Sequence, residues 1–199
     1  MLGLFYLIFF GLYGWLSIWL IKRAIKAAKV RGISGWMLGL PVALVMYHLV
    51  FWDWLPTVVM HQRACSAEAG FWEYKTVEQW KAEHPGVLEK LIANKGAPSS
   101  RKGDDQNSID TYFLNQRFNW VVKRSNDNSL NRWRREEEVV DIVSGEVIAR
   151  YVDFSTSQVR QQPGWSGWKF WLAKKHCRDG DYSRDKLREL MNIYNGVRK

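Results

Sequence analysis

The hydrophobic pattern divides the chain into two unlike parts. Leu2 to Ile21 reads LGLFYLIFFGLYGWLSIWLI, about 20 residues without a charge, which is the length that crosses ~30 Å of hydrocarbon as a helix. A second apolar stretch starts at Ile33 and runs to about Met60, interrupted only by Pro41, His48, Asp53 and Pro56. Trp36 stands near one of its ends and Trp52 with Trp54 near the other, ~27 Å apart along a helix, the separation of two interfacial aromatic belts. The pattern therefore predicts membrane spans over about 2–21 and 33–55, with Asp53 at the headgroup level. No basic segment precedes the first stretch and no small-residue cleavage site follows it, which favours a retained span over a cleaved signal peptide.

Past Met60 the pattern becomes that of a folded domain. TVEQWKAEH predicts a short helix, with Thr76 as N-cap and Gln79 returning the capping bond. His84-Pro85-Gly86 interrupts it, and VLEKLIANKG predicts a further helical turn or two ending at Gly96. Residues 96–110, GAPSSRKGDDQNSID, have the composition of a mobile surface loop. The period then changes to two. FNWVVKRS, LNRWRREEEVVDIV and EVIARYVDFS predict three strands of an antiparallel meander, with turns around Asn126 and at Ser144-Gly145. In the last strand Val147, Ala149, Tyr151 and Asp153 alternate with Ile148, Arg150, Val152 and Phe154, so each face is expected to be partly covered. YSRDKLRELMNIYNG predicts a closing helix with Ser183 as N-cap and Gly196 as the stop. Leu187, Leu190, Met191 and Tyr194 form its packing face, and Arg184, Lys186 and Arg188 turn to solvent. The expected fold is a membrane-anchored α+β protein: two N-terminal transmembrane helices (1–60), then a small domain (61–199) with an antiparallel β-meander and flanking helices.

Charge orients this arrangement. Residues 1–60 carry five bases and one acid, out of 29 and 20 in the whole chain. All five bases (Lys22, Arg23, Lys26, Lys29, Arg31) fall in KRAIKAAKVRG, residues 22–32, predicted as a loop between the spans. The positive-inside rule makes such a loop cytoplasmic and places both termini and the domain on the far side, the periplasmic face of a bacterial inner membrane. If these bases are only a solvated linker, the orientation reverses. The net charge of +9 is spread among interspersed acids, which suits membrane lipid or a weakly acidic partner and not nucleic acid. Gly35 and Gly39 form a GxxxG spacing, and Gly11 with Gly14 a second small-residue notch. Either can bring the two helices together or join copies into a homo-oligomer. His48 is the deepest polar group in the second span, a functional candidate or a neutral side chain bonded to a neighbouring helix.

The chain has two cysteines, and the predicted topology places both in an oxidising compartment, so Cys65 and Cys177 are expected to be bonded to each other. Free buried thiols are the expectation if the orientation is reversed. HExxH, GxSxG, Gly-rich phosphate loops and EF-hand spacings are absent. The histidines 48, 61, 84 and 176 are scattered, and no cofactor or metal is expected. Glu136, Glu137 and Glu138 follow RWRR and read as a solvated charge ladder. Of the 12 tryptophans, those at 72, 80, 120, 133, 165, 168 and 171 lie in the domain. Trp165, Trp168 and Trp171, within GWSGWKFWL, form either core or a surface platform for glycan or protein, with core favoured because large aromatics are mostly buried. Trp72 could also rest on the membrane interface. The function these features favour is a non-enzymatic inner-membrane protein that presents a periplasmic interaction domain to an envelope protein partner. Accessory subunit, assembly factor and exclusion or immunity protein all fit. The alternative is a membrane-anchored enzyme or glycan-binding module acting on cell-wall or lipid-linked substrates.

Overall fold

A computed structural model describes residues 2–94, 99–127, 132–156, 172, 176–177 and 180–195. Two units pack separately, Met1–Leu55 and Pro56–Lys199. In the first, helix α1 spans Leu2–Val30 and α2 spans Gly35–Phe51. The stretch 22–32 is not the loop its charge pattern suggests. Ala24, Ala27, Ala28 and the intervening Lys and Arg residues are strong helix formers, and they extend α1 by two turns beyond its apolar part. The helix stops at Gly32, whose φ of 70° is left-handed. There Gly32 N–H donates to Lys29 O (3.1 Å) and Ile33 N–H to Ala28 O (3.1 Å), the paired bonds of a Schellman cap. Among the described residues, helix α1 is the one helix that is by itself long and apolar enough to cross a membrane. The second stretch is not one continuous helix over 33–55, and α2 meets the same test of length and apolarity only when taken with the helix that follows it, Trp54–Glu68, as one broken span. Helix α2 has 17 residues and gives way to a turn at Trp52–Asp53, because the ring of Pro56 would clash with the carbonyl of Trp52 in a continuing helix.

Helix α3, Trp54–Glu68, lies in the second unit from Pro56 onward and leads almost directly into strand β1, Gly70–Glu73. Helix α4, Val77–Glu83, starts at the expected capping box: Thr76 Oγ1 accepts from Gln79 N–H, and Gln79 Oε1 from Thr76 N–H. The segment after Gly86 forms only a 3₁₀ turn at Leu88–Lys90, and Gly96 lies outside the described residues. Residues 96–110 are not a mobile loop throughout. Strands β2 (Ser99–Gly103) and β3 (Asn107–Phe113) form a hairpin there. Its turn is closed by Asp104, whose Oδ1 accepts from Gln106 N–H and Asn107 N–H, and by Gly103 at φ 99°, where a Cβ would collide with Asn107 O.

The three predicted strands follow as β4 (Phe118–Asp127), β5 (Arg132–Asp141) and β6 (Val147–Ser155). The whole sheet is antiparallel, ordered β1-β6-β5-β4-β3-β2. Helix α5 spans Gly180–Tyr194, opening before the predicted cap at Ser183. Its buried Leu187, Leu190 and Tyr194 meet Trp80, Phe118, Val139, Ala149 and Tyr151 in the main core. The prediction that Arg184 faces solvent is corrected. It is half-buried and lies 3.4 Å from Glu137, whereas Lys186 and Arg188 are exposed. A smaller cluster of Ala64, Val152 and Phe154 lies on the other face, under α3.

Candidate functional site

The functional cleft follows from the shortness of β1. Its four residues pair with β6 only as far as Gly70 opposite Val152, so among the described residues no strand pairs with Asp153–Ser155 on that side. Helix α3 passes this edge and seats Ala64 on Val152 and Phe154. Cys65, the next residue, is bonded to Cys177 with Cα atoms 5.5 Å apart, closing a separation of 112 residues. A cleft of about 390 Å³ opens beside the bridge, lined by His61, Cys65, Tyr151, Asp153, Cys177 and Ser183 among others.

His61 lines it, and a second histidine, His176, is bonded to the lining residue Asp153. His61 lies one helical turn before Cys65, so both side chains leave the same face of α3. Its Nε2 and Nδ1 are 3.5 and 4.0 Å from Cys65 Sγ. Asp153 is buried. Its Oδ1 accepts from the backbone N–H of Cys177 (2.9 Å) and Phe154 (2.9 Å), and its Oδ2 lies 2.7 Å from His176 Nδ1. That contact orients the His176 ring through Nδ1. Burial, reinforced by the Asp153 charge, pushes the Tyr151 phenol upward, so the phenol stays a hydrogen-bond donor. Ser183 lines the same space, but no hydrogen bond joins it to His176 among the described residues. The base-to-nucleophile contact of a serine hydrolase is thus not assembled. The chemistry on offer is a disulfide flanked by an imidazole and a buried carboxylate–imidazole couple.

In the first unit, Gly35 and Gly39 face α1, where a Cβ on either would fall 2.9 or 2.8 Å from Ile25 side-chain carbons. Gly11 and Gly14 have nothing within 4 Å and take no part in this contact. His48 is on the exposed side of α2, edge-on to the adjacent Tyr47 ring at 5.5 Å, and does not join the helix packing. Substituting Gly39 by Leu should push Ile25 aside and cost about 1–3 kcal/mol, as overpacking does. Thermal unfolding in detergent micelles would register this loss, with Gly11→Leu near wild type as the control.

Trp165, Trp168 and Trp171 lie outside the described residues. Of the other domain tryptophans, Trp80 is fully buried, Trp120 and Trp133 are partly buried, and Trp72 is 40% exposed. Cross-strand register puts Trp72 on one face with Thr111, Val121, Glu138 and Arg150, and puts Ile109 in the adjacent row with Lys123 and Glu136. This is the face opposite α4 and α5. Among the described residues, α3 covers it at Val152 and Phe154 and brings Glu68 to 3.9 Å from Arg134, while Trp72, Ile109 (44%) and Phe113 (37%) stand exposed.

The acidic run also differs from the expected solvated ladder. Glu136 and Glu137 are 5% and 1% exposed, because alternation sends them to opposite faces that are each partly covered. Glu137 accepts from Trp120 Nε1 (2.9 Å) and Arg135 Nε (2.6 Å). On the open face, Glu136 is surrounded by Arg134, Arg150 (3.1 Å) and Lys123 (3.5 Å). Burial alone would raise its pKa, but the Arg150 hydrogen bond and the Arg134 charge outweigh that and hold it at about 2, against an ordinary 4.5. A folded-state pKa below the unfolded one stabilises above the unfolded value and ceases to do so as pH falls through the folded value. Stability should therefore fall between about pH 4.5 and 2, with Glu136 contributing about 2–3 kcal/mol of the loss. Urea midpoints measured across that range should decline less steeply in Glu136→Gln, and equal slopes would refute the assignment.

The histidine and carboxylate members of the cleft were legible only in part from the sequence. The four histidines read as scattered, yet His61 sits four residues before Cys65 and His176 directly before Cys177, the two ends of the expected bridge. No signal in the chain marked Asp153 as the partner of His176. No known protein family, curated protein or solved structure matches this chain.

Proposed function

We propose that this is a non-enzymatic protein of a bacterial inner membrane that presents its α+β unit to the periplasm and holds an envelope protein partner there. The observation that carries the reading is the open sheet face, where Trp72, Ile109 and Phe113 stand exposed around the ion pairs of Glu136 and Glu138 with Lys123 and Arg150. Aromatic and aliphatic anchors set among fixed charges are the make-up of a protein-binding hot spot, and an indole with Arg neighbours is enriched in such patches. In this reading α1 makes one crossing, α2 with α3 makes the second as a broken span, and the bases from Lys22 to Arg31 stay at the cytoplasmic surface among anionic lipid headgroups. The bridge between Cys65 and Cys177 fits the oxidising compartment that this topology supplies. An accessory subunit, an assembly factor and an exclusion or immunity protein are the roles such a module fills.

A photo-crosslinking residue placed at Trp72 or Ile109 in intact cells should trap one protein reproducibly, whereas the same residue at Arg188, exposed on α5 across the sheet from that face, should not. Capture of lipid alone, or of nothing, at all three positions would refute the partner. Topology is read by a membrane-impermeant maleimide, which should label Lys102→Cys and spare Lys26→Cys. The reverse pattern would invert the orientation.

A further inference from the structure

We infer that the cleft beside the bridge is a redox-gated metal site: on reduction of Cys65–Cys177, the two thiolates and His61 bind a soft or borderline divalent cation, zinc first. His61, Cys65 and Cys177 each offer one ligand atom, and the three atoms lie within 4.8 Å of one another. Two of the ligands come from successive turns of α3 and are oriented by a helix that also seats Ala64 in the sheet. Zinc holds thiolate at ~2.3 Å and imidazole at ~2.0–2.1 Å in a tetrahedron, which sets its sulfurs about 3.8 Å apart. With Cα atoms 5.5 Å apart, the two sulfurs reach that separation by side-chain rotation once the bond between them is gone. The cleft has room at about 390 Å³ for the ion and for a water in the fourth position. Asp153 supports the site from behind. It lines the same cleft, and its Oδ1 accepts from the Cys177 backbone N–H, which fixes the chain at one of the ligands.

The gate is the bridge itself. Disulfide sulfurs carry no charge and are poor ligands, and the thiolate is the metal-binding form. Reduction by a dithiol breaks the S–S bond. Two electrons and two protons pass to the cysteines, leaving two thiols, while the dithiol closes to its own disulfide. Zinc then displaces the two thiol protons and forms two Zn–S bonds. Reoxidation reverses the sequence and expels the ion. This inference does not rest on the proposed partner, because none of the ligands belongs to the open sheet face.

The test uses the full chain in detergent micelles, reduced with a phosphine so that no competing thiol is added, and titrated with Co²⁺ and then Zn²⁺. The reduced protein should take up one Co²⁺ with sulfur-to-metal charge-transfer absorption and tetrahedral d–d bands, both abolished by one equivalent of Zn²⁺. The oxidised protein should show neither. His61→Ala should weaken Zn²⁺ binding at least about tenfold while its oxidised form unfolds like the wild type, and His61→Cys should restore binding with stronger charge transfer. If reduction unfolds the domain, Zn²⁺ should restore native tryptophan fluorescence to the reduced wild type and not to Cys65→Ser/Cys177→Ser. Either a folded reduced protein without the charge-transfer band, or an unfolded one that Zn²⁺ leaves unfolded, would overturn the site. Equal affinity in His61→Ala would remove His61 from it.

Discussion

Replacing Cys65 and Cys177 together by serine should lower the unfolding free energy of the full chain by about 4–5 kcal/mol, the loop-entropy value for a bridge of this span. The separation of 112 residues takes in the whole sheet, so the unbridged unfolded chain gains freedom over most of the second unit. Among the described residues, the cluster beside the bridge has Ala64, Val152 and Phe154 as its buried members, whereas the main core draws on α4, α5 and four strands. Urea titration in micelles, followed by tryptophan fluorescence, should show a lower midpoint in the double serine variant and in reduced wild type alike. A shift below about 1 kcal/mol would mean that strain in the folded state cancels the entropic gain. If the reduced wild type regains part of the loss when Zn²⁺ is present and the serine variant does not, binding to the folded state is the reason.

The elements legible in the sequence were those whose signal is local. The capping box at Thr76 and Gln79, the alternation of β4 to β6 and the apolar stripe of α5 each depend on neighbours within a few residues. The errors came where tertiary context or turn chemistry overrode composition. The hairpin of β2 and β3 read as a loop because β2 is exposed along its whole length and carries no apolar alternation. Its strands are specified instead by Gly103 and Asp104 in the turn. The basic stretch after Ile21 has the charge pattern of a loop, and only the helix propensity of its Ala, Lys and Arg residues marks it as a continuation of α1. Glu136 and Glu137 read as solvated because nothing local announces that both faces of β5 are covered. The cleft followed the same logic: the two cysteines were visible and their pairing was expected on compartment grounds, but Asp153 enters only because β1 ends one residue short of it.

Substituting Asp141 by Ala should be among the most damaging single changes in the second unit, costing about 3–5 kcal/mol, because it strands a buried cation and an indole donor together. Asp141 ends β5 with no exposed surface. Its Oδ2 accepts from Trp80 Nε1 (3.1 Å) and Arg117 Nε (2.9 Å), and its Oδ1 accepts from Val143 N–H (3.0 Å), fixing the turn into β6. Trp80 is enclosed by Phe118, Tyr194 and His84, with the Arg117 guanidinium 4.9 Å from its ring centre. The carboxylate therefore joins α4, the start of β4 and the β5–β6 turn at one point. Asp141→Asn keeps an acceptor of the same shape and loses the charge facing Arg117, so it should cost less, about 1.5–3 kcal/mol. Burial alone would raise the Asp141 pKa, but the hydrogen bonds from Arg117, Val143 and Trp80 hold it below the ordinary 3.8. Its stabilisation is then complete above that value and fades as pH falls through the lower, folded one. The gap between wild type and Asp141→Asn, read from urea midpoints, should hold steady from pH 7 to 5 and narrow below about pH 3.8 as the wild-type carboxyl takes up its proton.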